Sequence, residues 1–156
     1  MRTVTVVSIM AMGAVPGAGA AGPAQAAGLD PQTRANASTA VEGEAFAHAK
    51  YLAYGEEAAR TGERRIARLF ADTAWTERYD HFAAEAKLIH FVRSNVADLQ
   101  ESIAGEEHEA TVMYPTFSRQ AAAAGDRRAA ALFREIAFDE ADHAAAFLRA
   151  LVELEV

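Results

Sequence analysis

The feature that most constrains this chain is an internal repeat with an offset of 62 or 63 residues. Shared composition could align alanines or arginines, but it would not align five other residue types in one order. The chain is therefore expected to contain two copies of one structural unit. The matched pairs are Gly43 with Gly105, Glu44 with Glu106, Tyr51 with Tyr114, Gly62 with Gly125, Phe70 with Phe133, Glu77 with Glu140 and His81 with His143.

The repeated unit is predicted to be a helix hairpin. From Ser38 onward the chain is rich in Ala, Glu, Arg and Leu, which favour helix, and its only proline there is Pro115. Glycine at 62 and 125 and a Ser-Asn cap signal near residue 94 should separate the helices. The predicted fold is all-α, a four-helix bundle with helices at about 37–61, 63–92, 96–123 and 126–154. Pro115 should bend the third helix or open one of its hydrogen bonds.

The start of the chain has the pattern of an export signal. Arg2 precedes an apolar run that extends to about Val15, and Ala24-Gln25-Ala26 places small residues where a signal peptidase cleaves. The apolar run is shorter than a membrane span, which argues against the alternative of a retained anchor. We therefore predict a signal peptide at residues 1–26, a leader at 27–37, the bundle domain at 38–154, and a periplasmic or extracellular location.

Charge and cysteine content exclude several classes of function. The formal net charge is −7, and removal of residues 1–26 with the single cation Arg2 makes it −8. Such a chain should not be attracted to nucleic acid or, once processed, to anionic membranes. The absence of cysteine excludes thiol catalysis, Fe–S clusters and a Cys-ligated zinc site within this sequence.

Each predicted hairpin carries the same potential metal ligands. Its first helix supplies a Glu, and its second supplies a Glu followed within one turn by a His on the same face. A single such pair ordinarily faces solvent, but its repetition favours a two-metal site in the core of a bundle. Glu109 lies one turn after Glu106 and adds a fifth carboxylate, and two divalent cations would offset most of that negative charge. The predicted ligands are Glu44, Glu77, His81, Glu106, Glu109, Glu140 and His143.

Several other residues have two possible roles. Tyr51 and Tyr114 could hydrogen-bond the ligand carboxylates or simply pack in the core, and the sequence does not separate these alternatives. His48, His90 and His108 have no repeat partner and are interpreted as surface or interface residues. The large aromatic residues are interpreted as core, namely Phe70, Trp75, Phe82, Phe91, Phe133, Phe138 and Phe147.

Over residues 38–152 these patterns together resemble the rubrerythrin family. The family places a Glu with a Tyr two turns on in its first helix, as in Gly43-Glu44 followed by Tyr51, and a Glu and a His in its second. Its third and fourth elements are similar to Gly105-Glu106-Glu107-His108-Glu109 leading to Met113-Tyr114-Pro115, and to Glu140-Ala141-Asp142-His143.

The resemblance implies a ferritin-like bundle with a non-haem di-iron centre and hydrogen peroxide as the usual substrate. In the family, the carboxylate similar to Glu109 is associated with movement of one iron between Glu and His ligation. The ligand types would also accept manganese or zinc.

Two departures from the family pattern are visible. Glu77 and His81 are four residues apart instead of three, which could require a π-bulge or a shifted ligand. The Cys-rich rubredoxin module of many family members has no counterpart in this sequence, so electrons should come from a separate donor protein.

The connection between the hairpins is short. In a ferritin-like bundle it runs the length of the bundle, yet His81 and Glu106 must reach one site and are only 25 residues apart. The few residues left for the connection are barely enough, and we expect a homodimer that exchanges hairpins.

Three classes of function follow from the sequence. The first is a peroxide-reducing di-iron oxidoreductase. The second is metal handling without turnover, as a ferroxidase or an iron- or manganese-binding protein, in which oxygen would oxidise iron faster than peroxide does. The third is a metal-free helical interaction module, which would carry apolar residues at the ligand positions.

Overall fold

A computed structural model of the protein describes residues 28–154, and within that range the chain forms four helices and no strand. We number them in chain order. α1 is Pro31–Arg60, α2 comprises Arg64–Thr76, the π-helical turn Glu77–His81 and Phe82–Ile89, α3 comprises Asn95–His108, the π-helical turn Glu109–Met113 and Tyr114–Ala124, and α4 is Arg127–Leu154. The all-α prediction is confirmed. None of the helices described is both long and apolar enough to cross a membrane, and the predicted signal at 1–26 lies outside the described residues.

The helix ends follow the predicted signals. Gly62 and Gly125 adopt left-handed backbone with φ of 86° and 88°, which a glycine does at little cost. Ser94 caps α3 by accepting a hydrogen bond from the Ala97 amide. α1 differs from the prediction because it begins at Pro31, inside the predicted leader. Asp30 caps that end, and a proline is favourable in a first helical turn.

Each pair of consecutive helices forms a tight hairpin. α1 packs along α2, and α3 packs along α4. At Gly55 the two helices of the first hairpin approach so closely that a Cβ there would lie 3.4 Å from the Ala67 carbonyl oxygen. The equivalent residue of the second hairpin is Ser118, whose hydroxyl donates a 2.8 Å hydrogen bond to the Ala130 carbonyl. The two hairpins are thus structural repeats, as predicted.

The two hairpins do not pack against each other within one chain. Among the helical residues described, no Cα of α1 or α2 lies within 8 Å of a Cα of α3 or α4. Among residues 28–154, the buried apolar side chains lie between the helices of one hairpin, and Val41 is the only one larger than alanine. They are Ala37, Val41, Ala58, Ala74, Ala86, Ala130, Ala137 and Ala144.

The prediction that all the large aromatic residues form the core is wrong for three of them in the single chain. Trp75, Phe91 and Phe138 are 57%, 50% and 68% exposed. Two helices in contact can enclose only small side chains along their shared seam, so larger ones stay open to solvent. Phe70, Phe82, Phe133 and Phe147 are half-buried.

The two π-helical turns explain why the repeat offset alternates between 62 and 63. Between Glu106 and Tyr114 the second copy has one residue more than the first, and the turn Glu109–Met113 accommodates it. Between Glu77 and His81 the first copy has the extra residue, in the other π-helical turn. A π-helical turn inserts one residue without rotating the helix beyond it. Pro115 is the second residue after the π-helical turn of α3 and lies in the first turn of the next α-helical segment.

Candidate metal centre

The first hairpin brings three predicted ligands together. Glu44 lies on α1 and Glu77 and His81 lie on α2, and one ligand atom from each falls within 4.8 Å of the others. His81 Nδ1 is 2.9 Å from a Glu77 carboxylate oxygen and 3.8 Å from one of Glu44. Both carboxylates are largely covered, while the imidazole is 54% exposed.

The second hairpin repeats this cluster with nearly the same dimensions. Glu106 lies on α3 and Glu140 and His143 lie on α4, again within 4.8 Å of one another. His143 Nδ1 is 2.7 Å from Glu140 and 3.5 Å from Glu106, and its side chain is 58% exposed. The two clusters are therefore equivalent halves, and one chain does not bring them into contact.

The π-helical turn resolves the unusual spacing of Glu77 and His81. In a regular α-helix, residues four apart are separated by about 40° beyond a full turn. The wider turn over Glu77–His81 places the two side chains one above the other, and they form the 2.9 Å contact. Glu140 and His143 reach the same relationship at a spacing of three within regular helix. The π-bulge that the spacing suggested is present.

Hydrogen bonding within each pair of glutamates raises the pKa of one carboxyl group in each half. The pKa of Glu106 is raised, first by its hydrogen bond with Glu140 and then by burial. The pKa of Glu140 is lowered by that same hydrogen bond and by one from His143. In the first hairpin the pKa of Glu44 is likewise raised, mainly by hydrogen bonding to Glu77 and by burial. Without metal, a proton is therefore bound more tightly at Glu44 and at Glu106 than at an isolated glutamate.

Glu109 and Tyr114 extend the second half-site. Glu109 begins the π-helical turn of α3 and is half-buried, outside the three-residue cluster. The pKa of Tyr114 is raised by burial and then by the negative charges of Glu109, Glu140 and Glu106. The Tyr114 hydroxyl is therefore held as a neutral phenol near the carboxylates.

Both candidate tyrosines pack in aromatic groups. The ring of Tyr51 stacks on Phe70 at 5.9 Å between centroids, and that of Tyr114 lies 6.2 Å from Phe133. Within residues 28–154 neither hydroxyl forms a hydrogen bond with a carboxylate. The packing role is observed for both, and the nearby carboxylates also raise the pKa of Tyr114.

His48 has a role that the sequence analysis missed. Its Nδ1 lies 2.8 Å from the carbonyl oxygen of Ala74, which is fully buried on α2 just before the π-helical turn. The imidazole thus ties α1 to α2 three residues ahead of Glu77. With no partner in the repeat, His48 gave no signal in the sequence.

Glu85, on the same face of α2 as His81, has a buried carboxylate oxygen, Oε2, without a hydrogen-bond partner among the residues described. Glu85 follows His81 by one turn, and its charge contributes to the raised pKa of Glu44. A buried acceptor in this position needs a cation or a donor that the single chain does not supply.

The donor set fits two iron ions. Carboxylate oxygens and imidazole nitrogens are the donors of carboxylate-bridged di-iron sites in helical bundles, one Glu from each of two helices and a Glu-His pair from each of the other two. The six clustered residues supply that inventory once, three in each hairpin.

Comparison with known proteins is consistent with this geometry. The rubrerythrin family model matches residues 36–152. The chain is 34% identical over 130 residues to a rubrerythrin of Nitratidesulfovibrio vulgaris, and this match covers 75% of this chain and 68% of the relative. It is 32% identical over 137 residues to nigerythrin of the same organism, covering 79% and 67%. Against a rubrerythrin of Porphyromonas gingivalis it is 31% identical over 128 residues, covering 74% and 64%.

Proposed function

This chain belongs to the rubrerythrin family, and we propose that it reduces hydrogen peroxide to water with electrons from a separate donor protein. Membership of the family implies a di-iron protein of the rubrerythrin type. The observation that supports the proposal most directly is the pair of equivalent Glu-Glu-His clusters, one on each hairpin.

The proposed ligands are the six clustered residues, with Glu109 as a further carboxylate. When bound, two irons supply Lewis acidity and two electrons for the reaction H2O2 + 2 e− + 2 H+ → 2 H2O. A donor protein must return those electrons.

The side chains around the half-sites supply positioning and protons. His48 fixes the backbone ahead of the π-helical turn that carries Glu77 and His81. Tyr114 presents a neutral hydroxyl near Glu106, Glu109 and Glu140. We expect metal binding to release protons, because a carboxyl group must be deprotonated to bind a metal and the pKa values of Glu44 and Glu106 are raised.

The first test is metal content followed by oxidation. The protein is refolded anaerobically with Fe(II), desalted and assayed for iron, and then mixed with peroxide or with oxygen. We expect about two irons per chain, as in other bundles with this donor set, and oxidation by one equivalent of peroxide per iron pair that is faster than oxidation by oxygen. A Glu44→Ala, Glu106→Ala variant should retain almost no iron.

Other outcomes would favour the other two classes of function. Faster oxidation by oxygen than by peroxide would indicate a ferroxidase or storage role. A folded helical protein that retains no metal would contradict both metal-dependent functions and leave the interaction module.

A further inference from the structure

We propose that the complete two-metal site forms between two copies of this chain that exchange hairpins. In this dimer α1 and α2 of one copy pack against α3 and α4 of the partner, and the reciprocal pairing forms a second site. The inference rests on the proposed function only in assuming that both half-sites hold one metal pair.

The half-sites themselves require an assembly of this kind. Each hairpin holds one Glu-Glu-His cluster, and within the chain described no helix of one hairpin contacts the other. A carboxylate-bridged metal pair needs ligands from four helices. The site is therefore incomplete in a single chain.

The length of the connection prevents the chain from completing the site by itself. In ferritin-like bundles α2 and α3 run parallel and a crossover connects them. α2 continues from His81 to Ile89, about 12 Å, and α3 runs from Asn95 to Glu106, about 17 Å, so their ends would be about 29 Å apart along the bundle. The five connecting residues, 90–94, span at most about 22 Å. Helices in contact also lie about 10 Å apart sideways, which makes the gap larger.

A bundle with α2 and α3 antiparallel would avoid that gap, but the structure is not of that kind. Residues 82–89 and 95–108 make no Cα approach within 8 Å, although only five residues separate them. The chain leaves α2 through His90, whose left-handed backbone ends the helix, and α3 does not fold back along α2. The connection thus separates the hairpins and leaves each free to pair with another copy.

A pair of exposed leucines lies where such a partner would pack. Leu69 and Leu132 are a repeat pair on α2 and α4, and they are 64% and 53% exposed. At about 100° per residue, Leu69 lies on the side of Glu77 opposite to Ala67 and Ala74, which face α1. A second hairpin beside the first would cover Leu69. The orphan oxygen of Glu85 lies on the same helix and would also gain neighbours.

The partner that fits this surface is a second copy of this chain. The missing half of each site is the other hairpin of the same sequence, and the two hairpins carry matching ligands and matching leucines. Reciprocal exchange closes the assembly with two-fold symmetry, so no half-site is left over.

A longer connection tests whether the short segment 90–94 is the reason that the hairpins are exchanged. We would insert about twelve Gly and Ser residues between Val92 and Arg93, enough to cross the bundle, and compare masses by sedimentation. The original protein should be a dimer and the lengthened one a monomer with the same metal content per chain. A monomeric original protein, or a lengthened protein that remains the same dimer, would overturn the proposal.

Complementation tests the composition of each site. One variant carries Glu44→Ala and Glu77→Ala, and the other carries Glu106→Ala and Glu140→Ala; each alone should retain little metal. After the two are unfolded together and refolded, about half of the dimers should be mixed, and each mixed dimer has one intact site. Metal should recover to about one quarter of the original content. No recovery above the separate variants would mean that each site is built within one chain.

A surface variant tests the interface without altering a ligand. Leu69→Glu should shift the protein to monomers at micromolar concentration, because the charge would be buried against the partner. Phe46→Glu is the matched control, since Phe46 is 69% exposed and lies about 200° around α1 from Glu44. A Leu69→Glu protein that remains as dimeric as the control would contradict the predicted interface.

The two proposals can fail separately. If no protein retains metal but the mass still halves on lengthening the connection, the di-iron function is wrong and the exchange of hairpins stands. If metal and peroxide turnover are present in a monomer, the function stands and the exchange is wrong.

Discussion

At the scale of single residues, His48 shows how a side chain that no sequence pattern identifies can help to position a ligand. Its 2.8 Å contact with the Ala74 carbonyl connects α1 to the last turn of helix before Glu77. The carbonyl is buried and also accepts from the Glu77 amide, so loss of the imidazole removes one of its two donors.

We predict that His48→Ala lowers the free energy of unfolding by about 1–2 kcal/mol, because it removes one partly buried hydrogen bond. Denaturant titration followed by circular dichroism measures this. His108→Ala is the control, since His108 is exposed on α3 and should change stability little. Equal effects of the two substitutions would contradict the role of His48.

The ion pair of His143 and Glu140 predicts a pH dependence in the metal-free protein. The pKa of His143 is raised above its usual 6.5, mainly by the hydrogen bond to Glu140, and that of Glu140 is lowered. The stabilising contribution of His143 is present below its unfolded pKa and disappears as the pH rises through its folded value. The contribution of Glu140 disappears as the pH falls through its own lowered pKa, so the pair stabilises most between about pH 4.5 and 6.5.

Glu140→Gln should therefore move the pKa of His143 back toward 6.5 in the metal-free protein. An NMR titration of the imidazole measures the shift directly. Glu135→Gln on the same helix is the control, because Glu135 is exposed and is not among the groups that raise the pKa of His143. An unchanged His143 pKa in Glu140→Gln would show that the pair is not formed in solution.

At the scale of elements, the two π-helical turns are insertions that the repeat accommodates. Each adds one residue next to a ligand while the helix beyond it keeps its orientation. The half-sites consequently have the same geometry although Glu77-His81 and Glu140-His143 differ in spacing. The ligand geometry, and not the spacing, is what the two hairpins share.

Deletion of Asp80 should convert the π-helical turn of α2 to regular helix with a Glu-x-x-His spacing. We expect a folded protein with unchanged metal content and a free energy of unfolding within about 1 kcal/mol of the original. The reason is that the side chains after His81 keep their orientation relative to α1. Circular dichroism and iron analysis measure both properties.

Deletion of Ala83 is the contrasting variant. It lies in regular helix, so either His81 or the buried Ala86 must rotate away from its present position. We expect lower stability or loss of iron in that variant alone. Similar behaviour of the two deletions would argue against the role of the π-helical turn.

At the scale of the whole molecule, one chain lacks a core of large side chains. Among the residues described, no large side chain is fully buried and the seams contain mainly alanine. A chain of this length ordinarily buries a substantial apolar core. Most of the stability of the native protein should therefore come from contacts between copies.

We predict that the melting temperature rises with protein concentration, because dimer formation stabilises the folded state by mass action. Calorimetry over a hundredfold concentration range would measure this. The variant with a lengthened connection should melt at a temperature independent of concentration. A concentration-independent transition in the original protein would indicate a stable monomer.

The sequence by itself determined the helices, the repeat and the six residues that form the two Glu-Glu-His clusters. Helix composition, glycine breaks and the Ser94 cap are local signals, and the recurrence of Glu44 and Glu77 as Glu106 and Glu140 is visible in the sequence alone. Local chemistry of this kind does not depend on distant contacts. The four-residue spacing of Glu77 and His81, one longer than in the family, also indicated a π-bulge or a shifted ligand there, and the structure has the π-bulge. The π-helical turn Glu109–Met113 was not predicted.

Only the tertiary structure decided which residues meet. The contact of His48 with Ala74, the orphan oxygen of Glu85 and the exposure of Trp75 depend on how helices distant in sequence pack. The separation of the two half-sites depends on the length of α2 and α3 relative to residues 90–94, and helix ends are fixed by capping and packing together. The relation between the helix lengths and the length of the connection, unlike the ligand pattern, is a property of the folded chain. It determines that one copy presents two halves of a site instead of a whole one.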